Sequence, residues 1–431
     1  MRGVHVLCLG LVGALLLGGP AAASAQTADV QTLRQEIDQL RKELDAIQRQ
    51  YGERLAALEA RLGGQPAGPP VTQPEVPQPA TAATPLQGNL PVYGAVSAGS
   101  KIFNPDIGMI GNFVSATGES RGGSDAIAPI PFATLQESEA SFQAIVDPYA
   151  RADFFLAIGE EGIEVEEGYV TFPTLPGGLL VKAGKFRASL GRLNAFHNHT
   201  LPWVDRPLAM YNLLGGSPLD PDTGIKDAGV SASRLIPAGN LFLEATGEVF
   251  RGDSGTVFKS SRRSDVSTVG RLRAYTDITE ATNIEVGGSY ARGHNELGSD
   301  FLTQLYSTDV TLRWRPLSRA IYRSAVARNE LFWSRRDEPG APQQAFGGYA
   351  SLDYQLARRW FAGGRYDWSE RATAAAIADR GSSAVLTFWP SEFSQIRGQY
   401  RRTRYGDDGR VANELLVQAL FTIGAHGAHP F

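Results

Sequence analysis

The chain has 431 residues, 42% of them hydrophobic and 20% charged, with a formal net charge of −4. This length suffices for one large domain or for several. The mild charge gives no reason to expect a nucleic-acid partner, which would require a strongly basic surface.

The first 25 residues have the three parts of a secretory signal peptide. Arg2 supplies the positive charge, residues 6–17 form an apolar run, and residues 23–25 form a small-residue cleavage site. The run is shorter than the ~20 residues that a membrane-spanning helix needs. The single cysteine, Cys8, lies in this segment. An exported mature chain would therefore be stable without disulfides.

Residues 26–62 are predicted to form an oligomerisation helix. Apolar residues recur at alternating steps of three and four, which is the a/d seam of a coiled coil. The predicted core consists of Leu33, Ile37, Leu40, Leu44, Ile47 and Tyr51. A lone helix with an apolar stripe is poorly stable in water, so the stripe predicts self-association. Packing against the rest of the chain is the alternative.

Residues 63–91 are rich in proline, glycine, alanine and threonine. This composition is typical of an extended spacer without a core. The spacer separates the predicted helix from the remainder of the chain.

From residue 92 onward, short segments alternate apolar with polar or small residues. Clear cases are "LFLEATGEVF" (241–250), "YSTDVTLRW" (306–314) and "WFAGGRYDW" (360–368). A period of two places the two sets on opposite faces of a sheet. A soluble sandwich and an outer-membrane barrel both produce this pattern. No further apolar stretch approaches ~18 residues, so membrane insertion would require a closed barrel.

Three features favour the barrel. Aromatic residues occur at strand ends, as in interfacial girdles, and the chain ends in an aromatic residue, Phe431. Short connections also alternate with longer polar ones. The longer ones are predicted at 117–133, 193–226, 251–265, 293–303, 335–344, 370–381 and 404–412. We therefore predict an all-β transmembrane antiparallel β-barrel of about 16 strands over 92–431, preceded by the α-helical coiled coil.

Together these features resemble bacterial outer-membrane porins. "IDQLRKELDAIQ" (37–48) before a Pro-rich spacer is similar to DcaP-like and sucrose porins, and 147–197 is similar to phosphate-selective porins of the O/P type. The resemblance implies a homotrimer in the bacterial outer membrane, among its lipid and lipopolysaccharide, with the helix in the periplasm. It also implies that Phe431 belongs to the signal read by the barrel assembly machinery.

In a porin, the residues that face the lumen set the selectivity. The alternation predicts pore-lining positions at Arg151, Asp153, Arg271, Arg273, Asp309, Arg313, Arg365, Asp367, Arg397 and Arg401. Many such charges only pair with one another, and a one-residue register error would turn each of them outward. The preference for anions or cations therefore stays open.

The longest predicted loop, 191–224, is too apolar and aromatic for a loop that extends into solvent. We predict that it folds into the barrel as the third outer loop and constricts it. The constriction residues would be His197, His199, Trp203, Asp205 and Arg206. A cap over the mouth and a contact between subunits are the alternatives.

His197 and His199 also form a candidate metal site, because imidazoles are common zinc and copper ligands. Asp205 and Asp220 could add oxygen ligands, and a hydrogen-bonded structural pair is the alternative. A second pair, His426 and His429, belongs to the opposite end of the barrel, so a shared site is not expected.

The sequence has no GxSxG, HExxH or P-loop motif, so neither a catalytic residue nor a cofactor is predicted. The predicted function is a porin for passive diffusion of small hydrophilic solutes. The alternatives are a structural barrel that tethers the envelope through its coiled coil, and a zinc-related porin.

Overall fold

The computed structural model describes residues 105–119, 130–159, 162–255 and 257–424. The chain divides into two units, Met1–Pro85 and Leu86–Phe431, and every described residue belongs to the second. Several predicted features lie outside the described residues: the signal peptide, the coiled-coil helix with its six core residues, the spacer, the pair His426 and His429, and Phe431.

Within the described residues, sixteen antiparallel strands form a closed barrel in which neighbours in sequence are neighbours in the sheet. The strands are β1 Asp106–Gly118, β2 Ala133–Asp147, β3 Ala150–Gly159, β4 Gly162–Leu175, β5 Leu179–Arg187, β6 Lys226–Ala238, β7 Leu241–Phe250, β8 Ser267–Thr279, β9 Thr282–Asn295, β10 Gly298–Trp314, β11 Ala325–Arg336, β12 Gln343–Ala357, β13 Trp360–Arg371, β14 Ala374–Ser391, β15 Ser394–Arg404 and β16 Val411–Gly424. β1 closes the barrel by pairing with β16. The predicted 16-strand barrel is confirmed.

The strands place apolar side chains outward and charged side chains inward. On β13, Tyr366 is 54% exposed on the outer face, whereas its neighbours Arg365 and Asp367 are 4% and 2% exposed on the inner face. Leu272 and Leu352 are likewise exposed on the outer face. A water-soluble sandwich would bury the apolar set, so this distribution is that of a barrel whose outer face meets lipid.

Aromatic side chains form rows on the outer face near both ends of the strands. Trp333, Phe346 and Trp368 form one row, with ring centroids 5.2 and 5.3 Å apart. Near the other end, Trp360 stacks on Phe388 at 4.5 Å. Trp360 and Trp368 lie on the same strand at a spacing of about 27 Å. With a typical strand tilt this gives about 20 Å of height, close to the ~25 Å apolar band of such barrels.

Two of the predicted long connections are wrong. Residues 293–303 and 370–381 belong mostly to strands, which leaves only 296–297 between β9 and β10 and 372–373 between β13 and β14. These segments looked like loops because polar and small residues in them interrupt the regular alternation of apolar and polar positions. Strands can carry such residues beyond the lipid layer, and β10 and β14 are 17 and 18 residues long.

The connection between β5 and β6, residues 188–225, is the longest. It contains helix α1 (Leu208–Leu214) and two 3₁₀ turns, Leu193–Ala195 and Asn198–Thr200. A third 3₁₀ turn, Leu317–Arg319, lies between β10 and β11. Among the described helices, none combines the length and the hydropathy needed to cross a membrane.

Candidate functional site

Residues 188–225, which we term the inward loop, lie inside the barrel. Leu193, Trp203 and Met210 are fully buried. They pack with inward-facing aromatic side chains of the wall, including Phe186 on β5 and Phe332 on β11, in one apolar cluster. The apolar composition of the loop is thus explained by a core that it builds within the lumen.

Asp205 fixes the loop to β13 and β15. Its carboxylate accepts hydrogen bonds from Arg365 at 3.0 Å, from Arg401 at 2.7 Å and from the Gln399 amide at 2.6 Å. Burial alone would raise the pKa of Asp205, but Arg365 and Arg401 outweigh burial and hold that pKa below its ordinary value. The Asp205 carboxylate is therefore ionised at neutral pH.

Both arginines also have a carboxylate partner on the wall. Arg365 donates to Asp367 at 2.7 Å, and Arg401 donates to Glu414 at 2.6 Å. Arg397 donates to the carbonyl oxygens of Leu201 and Trp203 at 2.9 and 3.1 Å. We term the set formed by Asp205, Arg365, Arg397 and Arg401 the anchor. Its cations and their partners hold the middle of the inward loop, residues 201–205, in place.

Glu330 on β11 holds the first half of the loop. Its carboxylate accepts the backbone N–H of Arg192 at 2.7 Å and of Leu193 at 3.4 Å, and the Tyr349 hydroxyl at 3.2 Å. Gly191 has a φ of 63°, and a Cβ at this position would collide with the Glu330 carboxylate. Glycine is therefore required where the loop turns toward the wall.

Several arginines surround one glutamate on the inner face of β9. Glu285 on β9 pairs with Arg192 of the loop, with Arg313 at 3.4 Å and with Arg273 at 3.7 Å. Arg273 also pairs with Glu244 at 2.8 Å. The Arg313 side chain keeps 26% of its surface exposed. This part of the inner wall is thus polar and accessible to water.

On the opposite side of the lumen, the inward loop meets β2 and β4 at a buried group of acidic residues. His197 Nδ1 lies 2.7 Å from Glu139 Oε2, and His197 Nε2 lies 2.8 Å from Glu167 Oε1. Burial alone would lower the pKa of His197, but Glu166 and Glu139 outweigh burial and raise that pKa well above its ordinary value. A protonated ring at neutral pH explains how it donates to two carboxylates.

Two further glutamates complete this group. Glu166 pairs with Arg187 at 2.7 Å and lies 3.3 Å from His197 Nδ1. Glu137 is 2% exposed, and neither of its carboxylate oxygens has a hydrogen-bond partner within the described residues. We term the set formed by Glu137, Glu139, Glu166 and Glu167 together with His197 and His199 the glutamate–histidine cluster.

β-Bulges bring these glutamates together. The register of β4 against β3 shifts between Phe155 and Leu156, so Glu166 is an extra residue and points inward together with Glu167. On β2 a second shift makes Gln136 the extra residue, and Glu137 and Glu139 lie on the inner face in ordinary alternation with Ser141 and Gln143. The run of glutamates in "EEGIEVEE" (160–167) is visible in the sequence, but its alternation does not show which side chains point inward. The bulges that bury part of it have no clear signal in the alternation.

All ten side chains predicted to line the pore lie on the inner face. Four of them, Arg365, Asp367, Arg397 and Arg401, contact the inward loop directly. The others form pairs on the wall: Arg151 with Asp153 at 2.7 Å, Arg271 with Asp309 at 2.8 Å, and Arg273 and Arg313 with Glu285.

The predicted loop residues separate into two groups. His197 and His199 lie in the glutamate–histidine cluster, with ring centroids 5.6 Å apart, whereas Asp205 and Trp203 lie at the anchor. Neither Asp205 nor Asp220 belongs to the groups of potential ligands that contain the two histidines or Glu139. Asp205 is engaged by two arginines, and Asp220 accepts the backbone N–H of Asp222.

Arg206 is buried between the two groups. It donates to Asn198 Oδ1 at 2.9 Å and to the Phe196 carbonyl at 2.8 Å. Burial, together with the positive charge of Arg187, lowers the pKa of Arg206 to about 9. Its role in the loop is to hold the turn around Asn198.

The overall architecture matches known outer-membrane channels. An anion-selective porin from Comamonas acidovorans matches with a TM-score of 0.51 at 11% identity, covering 74% of this chain and 99% of the porin. The outer membrane channel DcaP of Acinetobacter baumannii matches with a TM-score of 0.50 at 11% identity, covering 74% and 96% of the two chains. Both are named as channels rather than as enzymes.

Sequence comparison adds one relative. An uncharacterized protein of Aquifex aeolicus (strain VF5) is 29% identical over 338 residues, which cover 69% of this chain and 70% of the relative. No family model matches the chain. The chain thus has the fold of the outer-membrane porins, DcaP among them, and the predicted resemblance to that class is confirmed.

Proposed function

We propose that the protein is an outer-membrane porin for passive diffusion of small hydrophilic solutes. The observation that supports this function is the contrast between the two faces of the wall. Its outer face is apolar, whereas the inner face carries charged side chains such as Arg151 and Arg313, 34% and 26% exposed. A barrel of about 16 strands is wide enough to enclose an aqueous channel.

The inward loop is the proposed constriction. It crosses the lumen from the glutamate–histidine cluster on β2 and β4 to the anchor on β13 and β15. Solutes would pass between this loop and the polar wall. The surrounding charges, including those of Arg192 and Glu285, would then set ion preference.

Conductance in a planar lipid bilayer tests the proposal. We expect stepwise openings with three sublevels, because the resemblance to porins implies a homotrimer and the coiled coil predicted over 26–62 favours self-association. A protein that inserts and stays silent would contradict a channel function. If the protein conducts, the reversal potential under a salt gradient gives its preference for anions or cations.

The envelope tether predicted as an alternative depends on residues 26–62, which lie outside the described residues. Deleting 26–62 separates the two functions. A porin without this segment keeps its solute flux, whereas a tether would lose envelope integrity. The porin proposal includes the recognition of Phe431 by the barrel assembly machinery and the periplasmic position of the helix.

A further inference from the structure

The glutamate–histidine cluster contains more carboxyl groups than cationic partners. Glu137, Glu139, Glu166 and Glu167 contribute four carboxylates. Their ion-pair partners within the described residues are one guanidinium, Arg187, and the imidazoles of the loop. Burying an unpaired carboxylate is costly, so a cation at this position would stabilise the cluster.

Other nearby cations do not complete the pairing. The Lys182 ammonium lies 4.6 and 4.2 Å from the ring centroids of Tyr169 and Phe186. Arg206 donates to the side chain of Asn198 and to the carbonyl of Phe196. Glu137 therefore keeps two buried oxygens with no donor in the described part of the chain.

We propose that the glutamate–histidine cluster is a binding site for one divalent transition-metal ion, with zinc as the reference ion. Glu139 Oε2 lies 2.7 Å from His197 Nδ1 and 3.5 Å from His199 Nδ1. The three atoms all lie within 4.8 Å of one another. A four-coordinate zinc ion with bonds of about 2.0–2.2 Å holds its ligand atoms about 3.3–3.6 Å apart, so small side-chain shifts suffice.

A second set of atoms supplies the remaining ligands. One oxygen each of Glu137, Glu139 and Glu166 also lies within 4.8 Å of the others, and Glu139 belongs to both sets. One ion beside Glu139 therefore has two imidazoles and further carboxylates within reach. The two imidazoles favour zinc or a similar ion over calcium and magnesium, which prefer oxygen ligands.

The hydrogen-bond partner of His197 Nε2 supports the proposed metal site. When Nδ1 of His197 binds a metal, Nε2–H can still donate to Glu167 at 2.8 Å. A carboxylate that accepts this proton fixes the orientation of a metal-bound imidazole and strengthens it as a ligand. The His197 side chain is 13% exposed, so an ion can reach it from the lumen.

Zinc binding to the full-length untagged protein in detergent tests the proposal. After chelator treatment, calorimetry with Zn²⁺ alone should show one ion per chain. Glu139→Gln or His199→Ala should weaken binding by at least about 10-fold. His294→Ala, which changes a histidine on β9, is the matched control and should bind zinc like the unchanged protein. The pair variant His426→Ala/His429→Ala should also bind unchanged.

Several outcomes would overturn the site. These are no binding by the unchanged protein, binding unaffected by both cluster variants, and loss of binding only when His426 and His429 are replaced. Preferential binding of Ca²⁺ would overturn the role of the imidazoles. Circular dichroism checks the β-sheet content of each variant. If the strand variant Glu139→Gln fails to fold, the zinc affinity of His199→Ala decides whether the site exists. The test is independent of channel activity.

Discussion

Two of the places at which the inward loop is attached to the wall differ in charge balance. At the anchor, the three cations Arg365, Arg397 and Arg401 are accompanied by the carboxylates of Asp205, Asp367 and Glu414. At the glutamate–histidine cluster, four carboxylates share one guanidinium and the loop imidazoles. Within the described residues, each carboxylate of the first arrangement is paired with an arginine, whereas both oxygens of Glu137 in the second have no hydrogen-bond partner.

The comparison shows that buried charged residues can have two different roles within one lumen. Buried charges that are matched, as around Asp205, are expected to fix a structure. Buried charges that are unmatched, as around Glu137, are expected to bind something. Variants on the two sides should therefore respond in opposite ways.

The largest effect is expected from Asp205→Asn. Removing one charge leaves Arg365 and Arg401 buried with less compensation, which should cost about 3–5 kcal/mol of loop docking. Protease protection of the loop and urea unfolding measure this loss, and single-channel conductance should rise as the loop is released. Asp300→Asn, at an exposed carboxylate on β10, is the control and should have little effect. Equal behaviour of the two variants would refute the anchor.

Glu330→Ala should have the next largest effect. It leaves the backbone N–H groups of Arg192 and Leu193 without their acceptor, at a cost of about 3 kcal/mol. Cleavage near residue 192 in limited proteolysis should increase. Glu330→Gln keeps an acceptor and should retain most of the protection; if it is as sensitive as Glu330→Ala, the charge rather than the hydrogen bonds is responsible.

Zinc should stabilise the side of the loop that carries His197 and His199. At a concentration of about 100 times the dissociation constant, the gain is about 2.7 kcal/mol. A zinc titration of thermal unfolding measures it, and a parallel titration of conductance shows whether the ion alters the constriction. The double variant His197→Ala/His199→Ala should respond to zinc in neither assay.

A smaller effect of opposite sign is expected from Glu137→Gln. Without metal, replacing one of several crowded, buried carboxyl groups by a neutral amide should stabilise the protein by up to about 1 kcal/mol, and zinc should then bind more weakly. Urea unfolding with a chelator present measures the first effect. Destabilisation in that assay would mean that the Glu137 carboxyl group has a compensating partner in the protein, as the Asp205 carboxylate has.

The smallest effect concerns pH. Because the pKa of Asp205 is below its ordinary value, its stabilising effect is fully present above the unfolded-state pKa of ~3.9 and is lost only as pH falls through the lower folded-state pKa. Loop protection at the anchor should therefore be unchanged between pH 7 and pH 5. Release of the loop at pH 5 would contradict this ionisation.

Much of the barrel could be predicted from the sequence because lipid and water impose a period of two on each strand. The run 241–250 coincides with β7, and Arg365 and Asp367 lie on the expected face. The alternation weakens where strands project beyond the lipid, since both faces are then polar. This explains the wrong loop assignments at 293–303 and 370–381.

The site was less predictable because its partners are far apart in sequence. The composition of 191–224 indicated an inward loop, and "HNH" indicated a histidine pair. The partners Glu139 and Glu330 are separated from the loop by 58 and 138 positions along the chain. Side-chain direction at Glu166 depends on a bulge, and pairing over such distances follows from barrel closure rather than from any local pattern.

The inward loop also has a mechanical consequence. Its hydrogen bonds reach β2 and β4 on one side and β11 and β13 on the other, which are opposite walls of a closed sheet. A hollow cylinder of sheet is easily flattened, and a strut across its diameter resists that deformation. The loop therefore braces the barrel against lateral pressure from the bilayer, so that its release would soften the whole wall.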